Sequence, residues 1–346
     1  MSNVHMIARE KFTQPFIEFM MKHFDSECHH FMVFGNAEFN VNSRKNVTEV
    51  EKRILSLFHL IRKLNTADKL FFHGLFHNGI LLILFFQPWL LKKSYWIIWG
   101  GDLYWYKSRT RSLKSNLKEL LRKFIIRNIA GLITPVKGDY ELAQKWYGAR
   151  GKYYYSFMYP SNLYKEYDLN QVKKENDVTV YVQVGNSADP SNNHIEVFEK
   201  LKNYNNKSIE IICPLSYGIN EYRDEVIKLG KKLFGIKFRP IITMMTHNQY
   251  LHFLSTIDVA IFNHNRQQAM GNIITLLGLG KKVYIRSDIT TWKFCAEHNL
   301  IVYNSGGNLD DIFSMIPESS MLNNINNIKL KFCESKLKED WERILG

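Results

Sequence analysis

The stretch VQVGNSADPSNNH, Val182 to His194, sets small and amide-bearing residues between a run of β-formers and the start of a helix. A loop of that kind belongs at the carboxyl end of a strand in an open parallel sheet, where helix N-termini and free backbone N–H groups collect ligands. Gly185 permits close backbone approach, Asn186 and Ser187 offer side-chain donors, and Ser191 or Asn192 can cap the next helix. A capped turn with no ligand would read the same way.

The surroundings decide for an α/β fold. Downstream, VTVYVQV from Val178, IEIICP from Ile209, VAIF from Val259 and KVYIR from Lys282 read as strands, with helical segments over 221–234, 249–255 and 268–279 between them. Upstream, VHMIA from Val4, FMVFG from Phe31, KLFFH from Lys69, YWIIW from Tyr95 and GLITP from Gly131 repeat the alternation. Strands joined by helix-length connections pair in parallel, so the expectation is two Rossmann-like domains facing across a cleft. Their bounds are 1–160 and 178–328, with a polar, aperiodic linker over 161–177 and a C-terminal helix over 329–346 that packs back on the first domain. The Asn-rich patch Asn323 to Asn327 reads as a solvated turn, and ILLILFFQPWLL, Ile80 to Leu91, as a buried helix too short to span a bilayer.

Composition narrows the partners. The chain has 346 residues, 46 Lys and Arg against 33 Asp and Glu, and a net charge of +13, which favours anionic partners. Cys28, Cys213, Cys295 and Cys333 are scattered without a CxxC, which argues against a zinc site or disulfide framework and for a reducing cytoplasm. MSNVHMIAREKF has no apolar core of signal-peptide length, so export is not expected. No nucleic-acid module is recognisable, and nucleic acid is not an expected partner.

A second loop strengthens the first. After VAIF, the residues Asn263, His264, Arg266, Gln267 and Gln268 precede an apolar helix, and Gly271 falls in its first turn. Such a loop can cradle a pyrophosphate, with Arg266 as a bidentate clamp; an ordinary polar loop is the alternative. There is no GxxxxGK[ST], no GxGxxG after the first strand and no DxD triplet. A metal-independent site using helix dipoles and cations fits better than carboxylate-bound Mg²⁺, and no cofactor is expected.

In the first half, His73 ends the strand KLFFH and His77 follows four residues later. A metal-ligating HxxxH is disfavoured by the missing Glu and by Gly74, and a histidine that binds or abstracts a proton fits better. YWIIWGGDLYWY leads into Gly100, Gly101 and Asp102. Asp102 is a candidate general base, or else a helix N-cap, and the aromatics suit either a sugar ring or a core. Residues 107–127 form a basic segment with Leu113, Leu117, Leu120, Leu121 and Phe124 at helical spacing. It would either lie on an anionic membrane surface through Arg111, Lys114, Lys118 and Arg122, or bury its apolar stripe.

FFHGLF, WIIWGGDLY, VGNSADPSNNH and YLHFLSTIDVAIFNHNRQQAMGNI, at their mutual spacing, resemble the 4-alpha-L-fucosyltransferase family, glycosyltransferase family 56. The resemblance runs from about Val4 to Tyr303. It implies a GT-B architecture and metal-independent transfer of a 4-acetamido-4,6-dideoxygalactose-type sugar from a TDP-sugar. The implied acceptor is a polyprenyl-pyrophosphate-linked saccharide of bacterial surface polysaccharide synthesis. The implied location is the cytoplasmic face of the inner membrane, as a peripheral protein on its anionic surface. A donor set of Gly185, Asn186, Ser187, Asn192, His194, Phe262, Arg266, Gln267, Gln268, Gly271 and Asn272 is then expected. Asp102 and His73 would be catalytic, and His77, Trp99, Gly101 and Tyr104 would meet the acceptor. The rival expectations are another nucleotide sugar serving O-antigen or capsule, or a non-catalytic nucleic-acid binder.

Overall fold

The structure is a computed structural model that describes residues 2–35, 39–50, 54–166 and 178–346. It divides into two compact units, one of residues 1–161 with 334–346 and one of residues 162–333.

Among the described residues the first unit holds seven parallel strands: β1 (Asn3–Ala8), β2 (His29–Phe34), β3 (Val47–Glu49), β4 (Lys69–His73), β5 (Ser94–Ile97), β6 (Gly131–Ile133) and β7 (Lys152–Tyr154). Their order is β3-β2-β1-β4-β5-β6-β7, with Asn3 opposite both His29 and Lys69. Between them run α1 (Thr13–His23), α2 (Ile54–Thr66), α3 (Asn78–Phe86), α4 (Gly101–Ser108), α5 (Leu113–Asn128) and α6 (Lys137–Tyr147). Strands covered on both faces read as near-continuous apolar runs, which is why LFF and MV inside β4 and β2 are buried throughout. Met6, Phe72 and Trp96 meet Leu84, Leu103, Ile125 and Ile126 of the covering helices in one core.

The second unit repeats the plan with β8 (Val180–Val184), β9 (Ile209–Pro214), β10 (Phe238–Ile241), β11 (Val259–Phe262), β12 (Lys282–Ile285) and β13 (Tyr303–Asn304). The order is β10-β9-β8-β11-β12-β13, all pairs parallel. Its helices are α7 (His194–Leu201), α8 (Asn220–Phe234), α9 (His247–Thr256), α10 (Met270–Gly278), α11 (Thr290–Glu297) and α12 (Glu318–Lys331). In both units the chain turns back at one point, between β1 and β4 and between β8 and β11. Open parallel sheets bind ligands in the crevice at such a point.

Several expectations change. Asn323 to Asn327 lie inside α12, not in a turn, because their amides find backbone partners. Asn324 brackets both the N–H and the carbonyl of Ile301, and Asn323 and Asn327 donate to Asn299 O. Ile80 to Leu91 is the end of α3 followed by a 3-10 turn over Pro88–Lys93, and it is only half buried, with Phe86 and Trp89 exposed. The basic segment 107–127 is broken between α4 and α5. Residues 329–333 stay with the second unit, where Tyr164 N donates to Phe332 O. Of the expected linker 161–177, residues 167–177 lie outside the described residues.

The last helix, α13 (Glu334–Leu345), belongs to the first unit. Its Trp341 is fully buried, with ring centroids 5.3 Å from Phe16, 5.5 Å from Phe71 and 5.9 Å from His5. Trp341→Ala removes an indole from the centre of that aromatic box. Urea unfolding is expected to show a loss of about 3–5 kcal/mol.

Candidate functional site

The two loops singled out by composition end β8 and β11, the strands on either side of the second unit's reversal point. Asn192 joins them. Its Oδ1 accepts from Asn186 N at 2.9 Å and lies 2.9 Å from His264 Nε2, and its Nδ2 donates to Asp189 O at 2.9 Å and Ser187 Oγ at 3.2 Å. Asn193 adds a second bridge, donating to Asn263 O at 2.7 Å and pairing with the Asn265 amide. A buried polar group without a partner costs roughly 1–3 kcal/mol, and the Asn192 and Asn193 amides avoid that cost by bonding across the two loops, whereas Asn263 Nδ2 stays buried without a partner among the described residues.

On the rim stand groups that remain partly open. Gln268 lies across the junction, its Nε2 donating to Asn186 Oδ1 at 3.2 Å and its Oε1 2.7 Å from Ser191 Oγ. Arg266 reaches Asp189 at 3.5 Å. Burial pushes the Asp189 carboxyl up, but the Ser191 hydroxyl and N–H, then Arg266 and His264, hold it below the ordinary carboxylate value. Ala269, in the left-handed region at φ 57°, starts α10 with no side-chain cap. The first-turn N–H groups of that helix therefore carry their partial positive charge beside Arg266 and Gln268. Such an arrangement can hold an anion.

Other donor-set residues serve the loop and not an open surface. A Cβ on Gly185, at φ +67°, would sit 2.5 Å from His194 Nε2 and 2.8 Å from Asn192 Oδ1. The space beside this glycine is thus filled by side chains, not left for a ligand. His194 is buried, 3.2 Å from Tyr222 Oη, and burial lowers its pKa to about 4. Phe262 is buried and stacks on His264. Gly271 faces Asn162, whose Oδ1 is 3.1 Å from where a Cβ would be. Gln267 is buried, whereas Asn272 is partly exposed and reaches the Tyr250 hydroxyl, as does Gln183. Tyr250 and Tyr217, whose Oη accepts from Asn186 Nδ2 at 2.8 Å, were not among the expected residues. Tyr217 could have been noticed from its place just before Gly218, after the end of β9.

In the first unit Asp102 is fully buried and saturated. Its carboxylate accepts from Trp96 Nε1 at 2.6 Å, Leu103 N at 2.9 Å, and Leu75 N and Trp99 N at 3.0 Å each. Burial pushes its pKa up, against Arg122 and those donors. A carboxylate with every neighbour a donor organises two loops and leaves no lone pair for an acceptor hydroxyl, which removes the expectation of a base; the capping alternative does not hold either, because Asp102 is the second residue of α4, whose N-cap is Gly100. Arg122, expected at a membrane, is 1 % exposed and donates to Leu75 O and Asp102 O. Lys118 lies over the Trp105 ring and 3.4 Å from Phe76 O, while Arg111 and Lys114 are exposed.

His73 is likewise enclosed, in a row of buried side chains. Trp99 Nε1 donates to Tyr159 Oη at 2.7 Å, Tyr159 Oη is 2.7 Å from His73 Nδ1, His73 Nε2 3.2 Å from His5 Nδ1, and His5 Nε2 3.0 Å from His29 Nδ1. Indole can only donate, so the arrangement that uses every hydrogen has Tyr159 donating to His73 and each imidazole passing its Nε2–H onward. Burial lowers the pKa of His73 to about 3 and that of His29 to about 4, and drives that of His5 well below its ordinary value. His73 therefore does not present a free nitrogen. Trp99, by contrast, is partly exposed, with Phe12 edge-on at 4.8 Å and Phe76 at 5.7 Å. It shares the carboxyl edge of the sheet with exposed His77, at the start of α3, and partly exposed Gly101; Tyr104 turns toward Trp146.

Among the described residues no group of three His, Cys, Asp or Glu is placed to hold a metal ion, and no helix is long and apolar enough to cross a membrane.

The order of the first six strands of the first sheet repeats in the second, whose reversal point carries a polar cradle; two parallel units of this kind are the architecture of the GT-B fold. Solved structures share that fold along the whole chain. Anabaena Alr3699/HepE, crystallised with UDP and glucose, matches at 10 % identity and TM-score 0.69, covering 100 % of this chain and 99 % of its own. Sucrose-phosphate synthase from Thermosynechococcus elongatus matches at 9 % and 0.67, covering 100 % and 98 %, and WaaG, a glycosyltransferase involved in lipopolysaccharide biosynthesis, at 10 % and 0.64, covering 99 % and 98 %. The chain belongs to the 4-alpha-L-fucosyltransferase family, glycosyltransferase group 56, whose model matches residues 10–346.

Two outcomes test this geometry. Gly185→Ala places a methyl against His194 and forces a left-handed φ on a side-chain residue. It should cost about 1–3 kcal/mol in urea unfolding and weaken nucleotide-diphosphate binding, read by calorimetry. The buried histidines titrate below their ordinary 6.5, so below that pH the unfolded chain takes up protons that the fold refuses. Their contribution is present above pH 6.5 and is lost as pH falls toward 4. Each can add up to about 1.4 kcal/mol per pH unit to that loss, and urea midpoints measured between about pH 7 and pH 5 should fall accordingly.

Proposed function

We propose that this protein transfers a 4-acetamido-4,6-dideoxygalactose-type sugar from a TDP-sugar to a polyprenyl-pyrophosphate-linked saccharide in bacterial surface polysaccharide synthesis. It would act without a metal ion, at the cytoplasmic face of the inner membrane. The observation that carries the reading is the match of the family model to residues 10–346, and the cradle between the β8 and β11 loops supports it.

In this reading the donor's pyrophosphate lies at the uncapped start of α10, against Arg266, Gln268, Asn186 and Asn272. As the glycosidic bond breaks, negative charge grows on the leaving diphosphate. A preformed cation and helix N-terminus stabilise that charge more in the transition state than in the ground state, which lowers the barrier. The absence of a DxD triplet favours these groups over a bound cation as the neutraliser. Arg266 starts out shared with Asp189, so it is held near its working position before the donor arrives. On the acceptor side, Trp99 offers an aromatic face for a sugar ring. Exposed His77, not Asp102 or His73, takes the base's role for the attacking hydroxyl.

The test is incubation with a panel of TDP- and UDP-sugars and a lipid-linked acceptor, followed by mass and NMR analysis of the product. Transfer from a TDP-linked 4-acetamido sugar, undiminished by EDTA, is the expected result; turnover confined to UDP-sugars would overturn the donor. Arg266→Ala should lower kcat/KM about thirty-fold or more, about 2 kcal/mol of transition-state stabilisation. Unchanged turnover would remove Arg266 from the site.

A further inference from the structure

Helix α5 is inside out. An amphipathic helix on a folded domain turns its apolar stripe inward and its charges outward. Here Leu113, Leu117, Leu120 and Phe124, spaced as one stripe, face solvent, with Leu113 90 % and Leu120 65 % exposed. The opposite stripe, Ser115, Glu119 and Arg122, is buried; of the apolar side chains of the helix, Ile125 and Ile126 near its end are buried and Leu121 is half-buried. The phase is set by Arg122: its guanidinium must point inward to reach Leu75 O and Asp102 O, and every residue half a turn away is then carried outward.

The exposed stripe continues onto the neighbouring element. Phe85 meets Phe124 edge-on at 5.4 Å, Phe86 beside it is 71 % exposed, and Trp89 on the following 3-10 turn is 57 % exposed. So many large apolar side chains in one patch are uncommon on a monomer's surface and mark an interaction site. Exposed cations border it, Lys114 on one side of the α5 stripe and Lys123 with Arg127 on the other.

We propose that this face inserts into the headgroup region of an anionic bilayer: Leu113, Leu117, Leu120, Phe124, Phe86 and Trp89 sink below the headgroups, and the flanking lysines and Arg127 pair with lipid phosphates. A large apolar face rimmed by Lys and Arg, with Trp and Phe among its side chains, is what interfacial helices use. The charge decides between occupants. In a symmetric pair of copies the same cations would face each other across the contact, whereas anionic headgroups neutralise them. The inference deepens the lipid-linked acceptor reading by naming the surface that brings the enzyme to its acceptor. It also moves the contact from a basic stripe that includes Arg122 to an apolar one.

The test is sedimentation of the full chain with vesicles of phosphatidylcholine, with and without phosphatidylglycerol, at low and high salt. No sugar donor is present, so an incorrect donor assignment would leave the result untouched. L113Q/L117Q/L120Q replaces exposed side chains only, and urea unfolding checks that its fold is kept. It should partition at least about tenfold less than the native chain onto both kinds of vesicle. K114Q/K123Q should lose only the part of binding that needs phosphatidylglycerol and falls with salt. Equal partitioning of the native chain and the leucine variant would overturn the proposal. So would a native chain that sediments as a dimer in vesicle-free buffer and becomes a monomer in the leucine variant, since a second copy would then cover the face.

Discussion

The side-chain amide of Asn192 is the point on which the second unit's functional end depends. Strands β8 and β11 run side by side, and their following loops diverge toward opposite faces of the sheet, as they must where strand order reverses. Two polar loops leaving adjacent strands would normally need water to satisfy their backbones. Asn192 supplies both a donor and an acceptor from one planar group, and holds Asn186, Ser187, Asp189 and His264 at once. With the loop backbones fixed, Arg266, Gln268 and the start of α10 are preorganised on the rim. Preorganisation is what gives a charge contact its catalytic worth, because the groups need not reorient as charge develops.

The first unit solves the same problem with charge. Asp102 and Arg122 are both buried; Asp102 accepts from Leu75 N and Trp99 N, and Arg122 donates to Leu75 O and Asp102 O. Buried ions are costly unless compensated: Arg122 has the buried Glu119 carboxylate 3.6 Å from its Nε, and Asp102 is held by N–H donors. What they position is a shelf of aromatic side chains, including Trp99. What they force is the rotation of α5, so the same pair that fixes the loops also sets which face of that helix meets the surroundings.

Much of this was legible in the order of residue types. The β-formers of β1, β4, β8 and β11, separated by helix-length segments, point to two parallel sheets, and the amide-rich loops after Val184 and Phe262 stand out against them. Strands β3 and β7 were not legible, because three residues, VTE and KYY, are too few to show a period of two. The Asn run of α12 looked like a turn because Asn favours turns on its own. Partners from Asn299 and Ile301 override that preference. Asp102 and His73 looked reactive for the property that makes them structural: a polar group at a strand end in aromatic surroundings is either exposed to a ligand or pinned inside a network. Composition alone does not separate the two. Arg122 was counted with its basic neighbours, since nothing local distinguishes a cation that folds inward.

The return of α13 to the first unit orders events during synthesis. Trp341, whose Nε1 lies 3.5 Å from Met158 O, follows that residue by 183 positions. Until those positions have left the ribosome, the face of the first sheet formed by His5, Phe16 and Phe71 has no indole to close it. Domains commonly fold in the order they emerge, but here the unit made first is completed last, after the second sheet has already been translated. Helix α13 therefore acts as a clasp, and a nascent chain interrupted before Trp341 would carry an open aromatic pocket available to chaperones.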